Sequence, residues 1–193
     1  MVRNYSDRPV DPGALARILD IARRGPSAGF AQGQHFIVVT DEGLRRRIAE
    51  AAGEPGYVAT GFDPWLSRAP IHVVLCTRES DYRARYAEGD KRSAPAVDDW
   101  AVPYWHVDAG ATLMLMLFGA VNEGLAAGFA GVHSFDGLRE LLQIPSDVTL
   151  VGVVTIGHPA PDRPSASLGR GRRAADEVVF QNRWGDVETD LHA

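Results

Sequence analysis

At 193 residues, with 45% hydrophobic and 23% charged side chains, the chain is long enough to bury a sizeable single core. A formal net charge of −5 argues against general nucleic-acid binding, and a lone cysteine excludes an intrachain disulfide framework and a cysteine-rich zinc site. The positive charge is almost all arginine, Lys91 being the only lysine, and arginine is the better residue for forked contacts to phosphate or carboxylate.

In chain order, Met1 to Asp11 is polar and charged, unlike a secretory leader. Asp11 and Pro12 give an N-cap and a first-turn proline, after which Leu15, Ile18, Leu19 and Ala22 recur at helical spacing until Gly25. Phe36 to Val39 reads as a short strand. Asp41 opens a second helix with Leu44 and Ile48 inward and Arg45, Arg46 and Arg47 on a solvated face. Ile71 to Cys76 is a buried strand in which Cys76 serves as a small core hydrophobe.

Arg78 to Trp100 is charged and interrupted by Pro95, and reads as a long loop or lid. A long helix follows from about Pro103 to Leu125. Its Leu, Met, Ala and Gly residues on all sides predict burial all round, either as a dimer core or as an internal helix of one subunit. Its apolar part, Ala109 to Val121, is short of the roughly 20 residues that cross a bilayer, so we expect a cytoplasmic protein with no membrane partner. Leu138 to Gln143 is a short helix, Val148 to Ile156 a third strand, and Val178 to Phe180 one more. The intermingled helices and strands, without a repeat, indicate a layered fold of the α/β or α+β class. The stretch from 158 to 193, stiffened by Pro159, Pro161 and Pro164, is expected to wrap a partner subunit.

The segment Gly25-Pro26-Ser27-Ala28-Gly29-Phe30-Ala31-Gln32-Gly33-Gln34 joins helix to strand and is unusually rich in special residues. Pro26 fixes one φ, Gly29 and Gly33 open angles and distances closed to other residues, and several N–H groups are left to face a ligand. Such a segment either grips a flat, polar-edged molecule or is a helix stop with an irregular loop. Gly131-Val132-His133-Ser134 places N–H groups ahead of the Leu138 helix. Gly169-Arg170-Gly171-Arg172-Arg173 is either a phosphate clamp or an exposed basic loop. The histidines share no metal-binding spacing, so no metal is expected. No side chain stands out as a catalytic acid, base or nucleophile.

Taken together, these segments resemble the nitroreductase family of FMN-dependent oxidoreductases. The likeness runs from Arg3-Asn4-Tyr5 with Pro9-Val10, through Pro26-Ser27-Ala28-Gly29 and Gln32 before His35-Phe36-Ile37-Val38-Val39. It continues through the small-residue helix to Gly124-Leu125 and Ile144-Pro145, then Val151 to Ala160 and the Arg170/Arg172 pair. The resemblance implies an α+β homodimer with a central mixed sheet flanked by helices, a C-terminal tail exchanged between subunits, and FMN at the subunit interface. It implies that Arg3 reaches the flavin phosphate or ring, and that Pro26, Ser27 and Ala28 contact the isoalloxazine. Val132, His133 and Ser134, following Gly131, would then lie at its N5/O4 edge, and Arg170 and Arg172 would clamp the phosphate. NAD(P)H would deliver hydride to the flavin, and a small-molecule electron acceptor (a nitro compound, a quinone or another metabolite) would then take its place. Trp100, Tyr104, Trp105 and His106 are substrate-side candidates, or else aromatic packing at a dimer interface.

The departures from the family pattern are specific. Met1 stands where the family has the serine of its opening Arg-Arg-Ser-x-Arg, which implies either arginines upstream or greater reliance on Arg170 and Arg172. Phe30 replaces a frequent asparagine, Gln32-Gly33-Gln34 replaces Gln-Pro-Trp, and Phe62 and Trp65 stand where many members carry an asparagine and a lysine for the pyrimidine edge. Those changes keep open a flavin-binding or cofactor-free homologue without NAD(P)H turnover, and a flavin oxidase of a dedicated metabolite.

Overall fold

Two compact units divide the chain, Met1–Asp162 and Arg163–Ala193. The structure, a computed structural model, describes residues 1–131 and 137–186. The first unit is built on α1 (Pro12–Arg23), β1 (Gln34–Val39), α2 (Glu42–Ala51), α3 (Glu54–Ala59), α4 (Trp65–Arg68) and β2 (Ile71–Thr77). It continues with α5 (Glu79–Tyr86), α6 (Tyr104–Asn122), β3 (Ala126–Gly131), α7 (Leu138–Leu141) and β4 (Thr149–Gly157).

The strands lie in the order β1-β2-β4-β3, and each neighbouring pair is antiparallel. A mixed sheet is the expectation that changes here. Among the described strands no parallel pairing occurs, because β4 lies antiparallel between β2 and β3, the two strands that run the same way. Every residue of β2 is buried, as a near-continuous apolar run at the sheet centre requires, and its alternate side chains feed two cores. Val74 and Cys76 join Val39, Ile48, Leu66, Leu138 and Val153 under α2, α4 and α7. Ile71 and Val73 join Ile18, Ala22, Met116, Ala120, Val154 and Ile156 under α1 and α6. The result is a sheet layered between two sets of helices, an α+β fold.

Local chemistry accounts for the helix starts. The Asp11 carboxylate accepts from the amides of Gly13 (3.2 Å) and Ala14 (3.1 Å), and Asp41 accepts from Leu44 (2.7 Å). The four residues of α4 are held from outside. The buried Glu54 carboxylate accepts the amides of Leu66 and Ser67 at its start, while Arg45 donates to the Ala69 carbonyl at its end (2.5 Å). Arg45 is therefore a half-buried tie, and only Arg46 and Arg47 occupy the solvated face expected of all three.

Three further expectations are corrected. The stretch from Arg78 to Trp100 is not a plain loop: it contains α5, whose Arg83–Glu79 pair sits one turn apart and whose Tyr82 is fully buried. Within one subunit α6 is not buried all round, which corrects the internal-helix alternative and leaves the dimer-core one open. Asp108, Ala109, Thr112, Met116, Gly119 and Ala120 face inward, whereas Val107, Met114, Phe118 and Val121 are exposed. Val178 to Phe180 forms no strand, because no sheet edge pairs with it among the described residues. Trp65 is a core residue and Phe62 stacks on Tyr57 (ring centroids 4.5 Å apart), so these two positions are filled by packing.

No helix among the described residues is long and apolar enough to cross a membrane. In the second unit, single turns span Ala166–Arg170 and Ala175–Glu177, and the ring of Trp184 packs on Phe180 while remaining largely exposed.

Candidate active site

The turn between α1 and β1 is moulded against α5 and the start of α6. Gly29, Phe30 and Gln32 all have left-handed φ, at 61°, 62° and 53°. Gly29 needs its freedom twice over, since a Cβ there would also lie 2.6 Å from the Tyr86 ring. At Gly33 the constraint is space: a Cβ would lie 2.5 Å from the Tyr82 ring and 3.0 Å from the Arg78 carbonyl. The two tyrosines of α5 are thus the floor on which the turn rests.

Hydrogen bonds hold it there. Asp108 Oδ2, buried on α6, accepts from the Ala28 amide and from the Tyr82 hydroxyl, each at 2.8 Å. Gln34 Nε2 donates to the Tyr82 oxygen at 2.6 Å, which completes the chain of contacts. Arg85 Nε donates to the Gly29 carbonyl at 2.8 Å, and its guanidinium is fixed by both oxygens of Asp90 at 2.7 Å. That pairing holds the Asp90 carboxyl down at about 2. Burial, reinforced by the bond to Asp108, raises the Tyr82 phenol above its ordinary range and keeps it a donor.

The same bonds revise the idea that several amides of the turn face outward. Ala28 gives its N–H to Asp108, Phe30 to the Ser27 carbonyl, Ala31 to the Ala28 carbonyl and Gln32 to Ser27 Oγ. Only the amides of Ser27 and Gly29, among those from Ser27 to Gln32, lack a partner among the described residues.

The aromatic candidates gather beside this turn. Trp100 meets Tyr86 edge-on at 4.7 Å and Tyr104 at 5.3 Å, and lies 6.3 Å from Trp105, which in turn lies 6.1 Å from Tyr82. Trp105 and Trp100 are partly covered, while Tyr104 and His106 are exposed. Lys91 Nζ sits over the Tyr86 ring, 5.4 Å from its centroid. Sequence reasoning singled out the four aromatic and imidazole groups but missed Asp108, Tyr82 and Tyr86. One signal was available for Asp108: a carboxylate on the inward face of an apolar helix demands partners.

The remaining site residues fall as follows. Arg3 is tied through its backbone, whose amide donates to Asp162 Oδ2 at 2.8 Å, and its guanidinium has no partner among the described residues. Its neighbour Asn4 bonds the Pro161 carbonyl and Arg68, which fixes the N-terminal stretch. Gly131 ends β3 opposite Gly152. Val132, His133 and Ser134 lie outside the described residues. Within the second unit, Arg170 and Arg172 line an open hollow with Ser167, Gly171, Arg173 and Glu177. Arg173 is engaged by Glu177, whereas the guanidinia of Arg170 and Arg172 have no partner among the described residues. Gly171 between them has φ 71° and ψ 177°, a conformation essentially reserved for glycine. Among the described residues no group of three or more His, Cys, Asp or Glu side chains could hold a metal ion.

Comparison with known proteins adds the following. The model of the nitroreductase family matches residues 1–158. The FMN reductase (NAD(P)H) of Bacillus subtilis is 27% identical over 175 residues, covering 82% of this chain and 62% of its own length. The NADH dehydrogenase of Thermus thermophilus is 27% identical over 184 residues, covering 83% of both chains. Among solved structures, the hypothetical oxidoreductase YcnD from Bacillus subtilis superposes with a TM-score of 0.72 at 26% identity, over 98% of this chain and 72% of that one.

Proposed function

This chain belongs to the nitroreductase family, and on that premise we propose that it is an FMN-dependent oxidoreductase that takes hydride from NAD(P)H and passes electrons to a small-molecule acceptor, a nitro compound or a quinone. The observation that carries the reading is the extent of the family match, which takes in Arg3, the Gly25–Gln34 turn, α5, α6 and β4. An FMN reductase among the relatives supports the choice of cofactor.

The residues present suit that cofactor. The guanidinia of Arg170 and Arg172, without partners among the described residues, match a phosphate dianion. The amides of Ser27 and Gly29, unpartnered among the described residues, match the carbonyl edge of a flat heterocycle. When bound, FMN supplies a ring that accepts hydride and gives electrons back. The chain supplies the setting. Pro26, Ser27 and Ala28 would offer the ring one backbone surface, and Val132, His133 and Ser134, outside the described residues, are proposed with Gly131 for its N5/O4 edge. Arg3 would reach the flavin phosphate or its ring. Tyr104 and His106, exposed beside the turn, form the acceptor side with Trp100 and Trp105 behind them.

A homodimer follows from the same reading. The exposed apolar face of α6 (Val107, Met114, Phe118 and Val121) is a cost to an isolated subunit, and a second copy removes it from water. The C-terminal segment from 158 to 193 wraps the partner.

Purified protein tests the function directly. It should be yellow, or become so with added FMN, bleach with NADH or NADPH under argon, and recover colour with a quinone, nitro compound or oxygen. Bound flavin that neither nucleotide bleaches would favour an oxidase of a dedicated metabolite or a non-turning-over homologue. Absence of FMN binding would overturn the proposal.

A further inference from the structure

We propose that Asp108 is the positioning residue of the cofactor turn, the group on which the geometry of Pro26 to Phe30 depends. The inference rests on the FMN reading above and goes beyond it to a residue that touches neither reactant. Asp108 sits on the inward face of α6 and is 7% exposed, among Ala109, Thr112 and Met116. A carboxylate there is costly unless it is hydrogen-bonded. Its Oδ2 takes both the Ala28 N–H and the Tyr82 O–H at 2.8 Å. One of these donors belongs to the turn and the other to its floor.

The consequence is a lock with few ways to relax. Tyr82 is fully buried and further held by Gln34 at 2.6 Å, and its ring closes the space beside Gly33. Anchored at Ala28 by Asp108 and at the Gly29 carbonyl by Arg85, the chain must pass through left-handed geometry at Gly29 and Phe30. Left-handed backbone at a phenylalanine is unfavourable by itself, so the anchors must supply what holds it. Freed from Asp108, the turn would relax toward ordinary angles, and the amides of Ser27 and Gly29 would lose their fixed directions.

The test reads the turn both with and without flavin. In apoprotein, the Ala28 amide should be protected from hydrogen exchange, as measured by NMR, and Asp108→Ala should speed its exchange at least about tenfold. Asp108→Asn keeps an acceptor oxygen and should restore most of that protection. For FMN, measured by fluorescence quenching, Asp108→Ala should weaken binding roughly ten- to a hundredfold and shift the absorption band of whatever flavin remains bound, with Asn again intermediate. Ile48→Val, a truncation in the opposite core, serves as the control for lost stability. It should lower the melting temperature while leaving Ala28 exchange and FMN affinity unchanged.

Wild-type exchange and affinity in Asp108→Ala would overturn the proposal. So would an equal loss of FMN affinity in Ile48→Val, which would make the effect one of stability alone. Should the wild-type protein bind no FMN, the cofactor reading fails while the exchange comparison still decides whether Asp108 holds the turn.

Discussion

Phe30 holds left-handed backbone at φ 62° while the residue is 72% exposed, so packing among the described residues does little to offset the strain. Asparagine tolerates that region far better, and Phe30→Asn should stabilise the protein by about 1 kcal/mol, seen as a higher denaturant midpoint at unchanged slope. An unchanged or lower midpoint would mean that the ring is covered in the assembled protein. His72 makes the opposite kind of demand. It is completely buried in β2, Nε2 donates to the Leu66 carbonyl at 2.8 Å, and Nδ1 has no partner among the described residues. Burial lowers its pKa to about 4 from the usual 6.5. The unfolded chain therefore binds the extra proton first as pH falls, and stability drains away between about 6.5 and 4 by up to about 3 kcal/mol. His72→Gln retains a donor for Leu66 but cannot titrate, so the gap between wild type and variant in urea denaturation should narrow or reverse across that window. A constant gap from pH 7 to 4 would show that His72 does not titrate in it.

Among the elements, what the sequence discloses depends on which force builds each one. Phe36 to Val39, Ile71 to Cys76 and Val148 to Ile156 are legible because β-branched and aromatic residues run together there. β3, by contrast, is Ala126-Ala127-Gly128-Phe129-Ala130-Gly131, with little strand preference of its own, and it exists because β4 offers it an edge. α5 is hidden for a related reason: a charged sequence with a single buried anchor, Tyr82, shows no apolar stripe. Because that anchor is also the floor of the turn, missing α5 meant missing half the site. Gly33→Ala tests the fit of the two elements directly. The new methyl would meet the Tyr82 ring and the Arg78 carbonyl, so we expect a loss of about 1–3 kcal/mol in thermal or chemical denaturation. A neutral result would mean that α5 can retreat from the turn. α6 leaves a choice open instead, since an apolar surface looks the same in sequence whether its own chain or another covers it. Phe118→Asp with Val121→Asp should yield a folded monomer by light scattering, and a dimer that persists would move the interface elsewhere.

At the scale of the whole molecule, Met1–Asp162 carries the sheet, the turn and its aromatic neighbours, while Arg163–Ala193 carries the paired arginines. The proposed phosphate role of Arg170 and Arg172 has a chemical signature, because FMN and riboflavin differ only by the phosphate. If Arg170 and Arg172 each contribute a charge-assisted contact worth roughly 1.5–3 kcal/mol, replacing both by alanine should weaken FMN binding by at least about two orders of magnitude. Riboflavin, which offers those guanidinia nothing ionic, should bind wild type and double variant alike. Higher salt should weaken FMN binding to the wild type more steeply than to the variant, in which Arg3 is the only proposed phosphate partner left to be screened. The circular dichroism should not change, both side chains being exposed on a segment with no strand or long helix among its described residues. Equal losses for FMN and riboflavin would show that the arginines support the ring site by folding the tail, and unaltered FMN affinity would leave them an exposed basic loop.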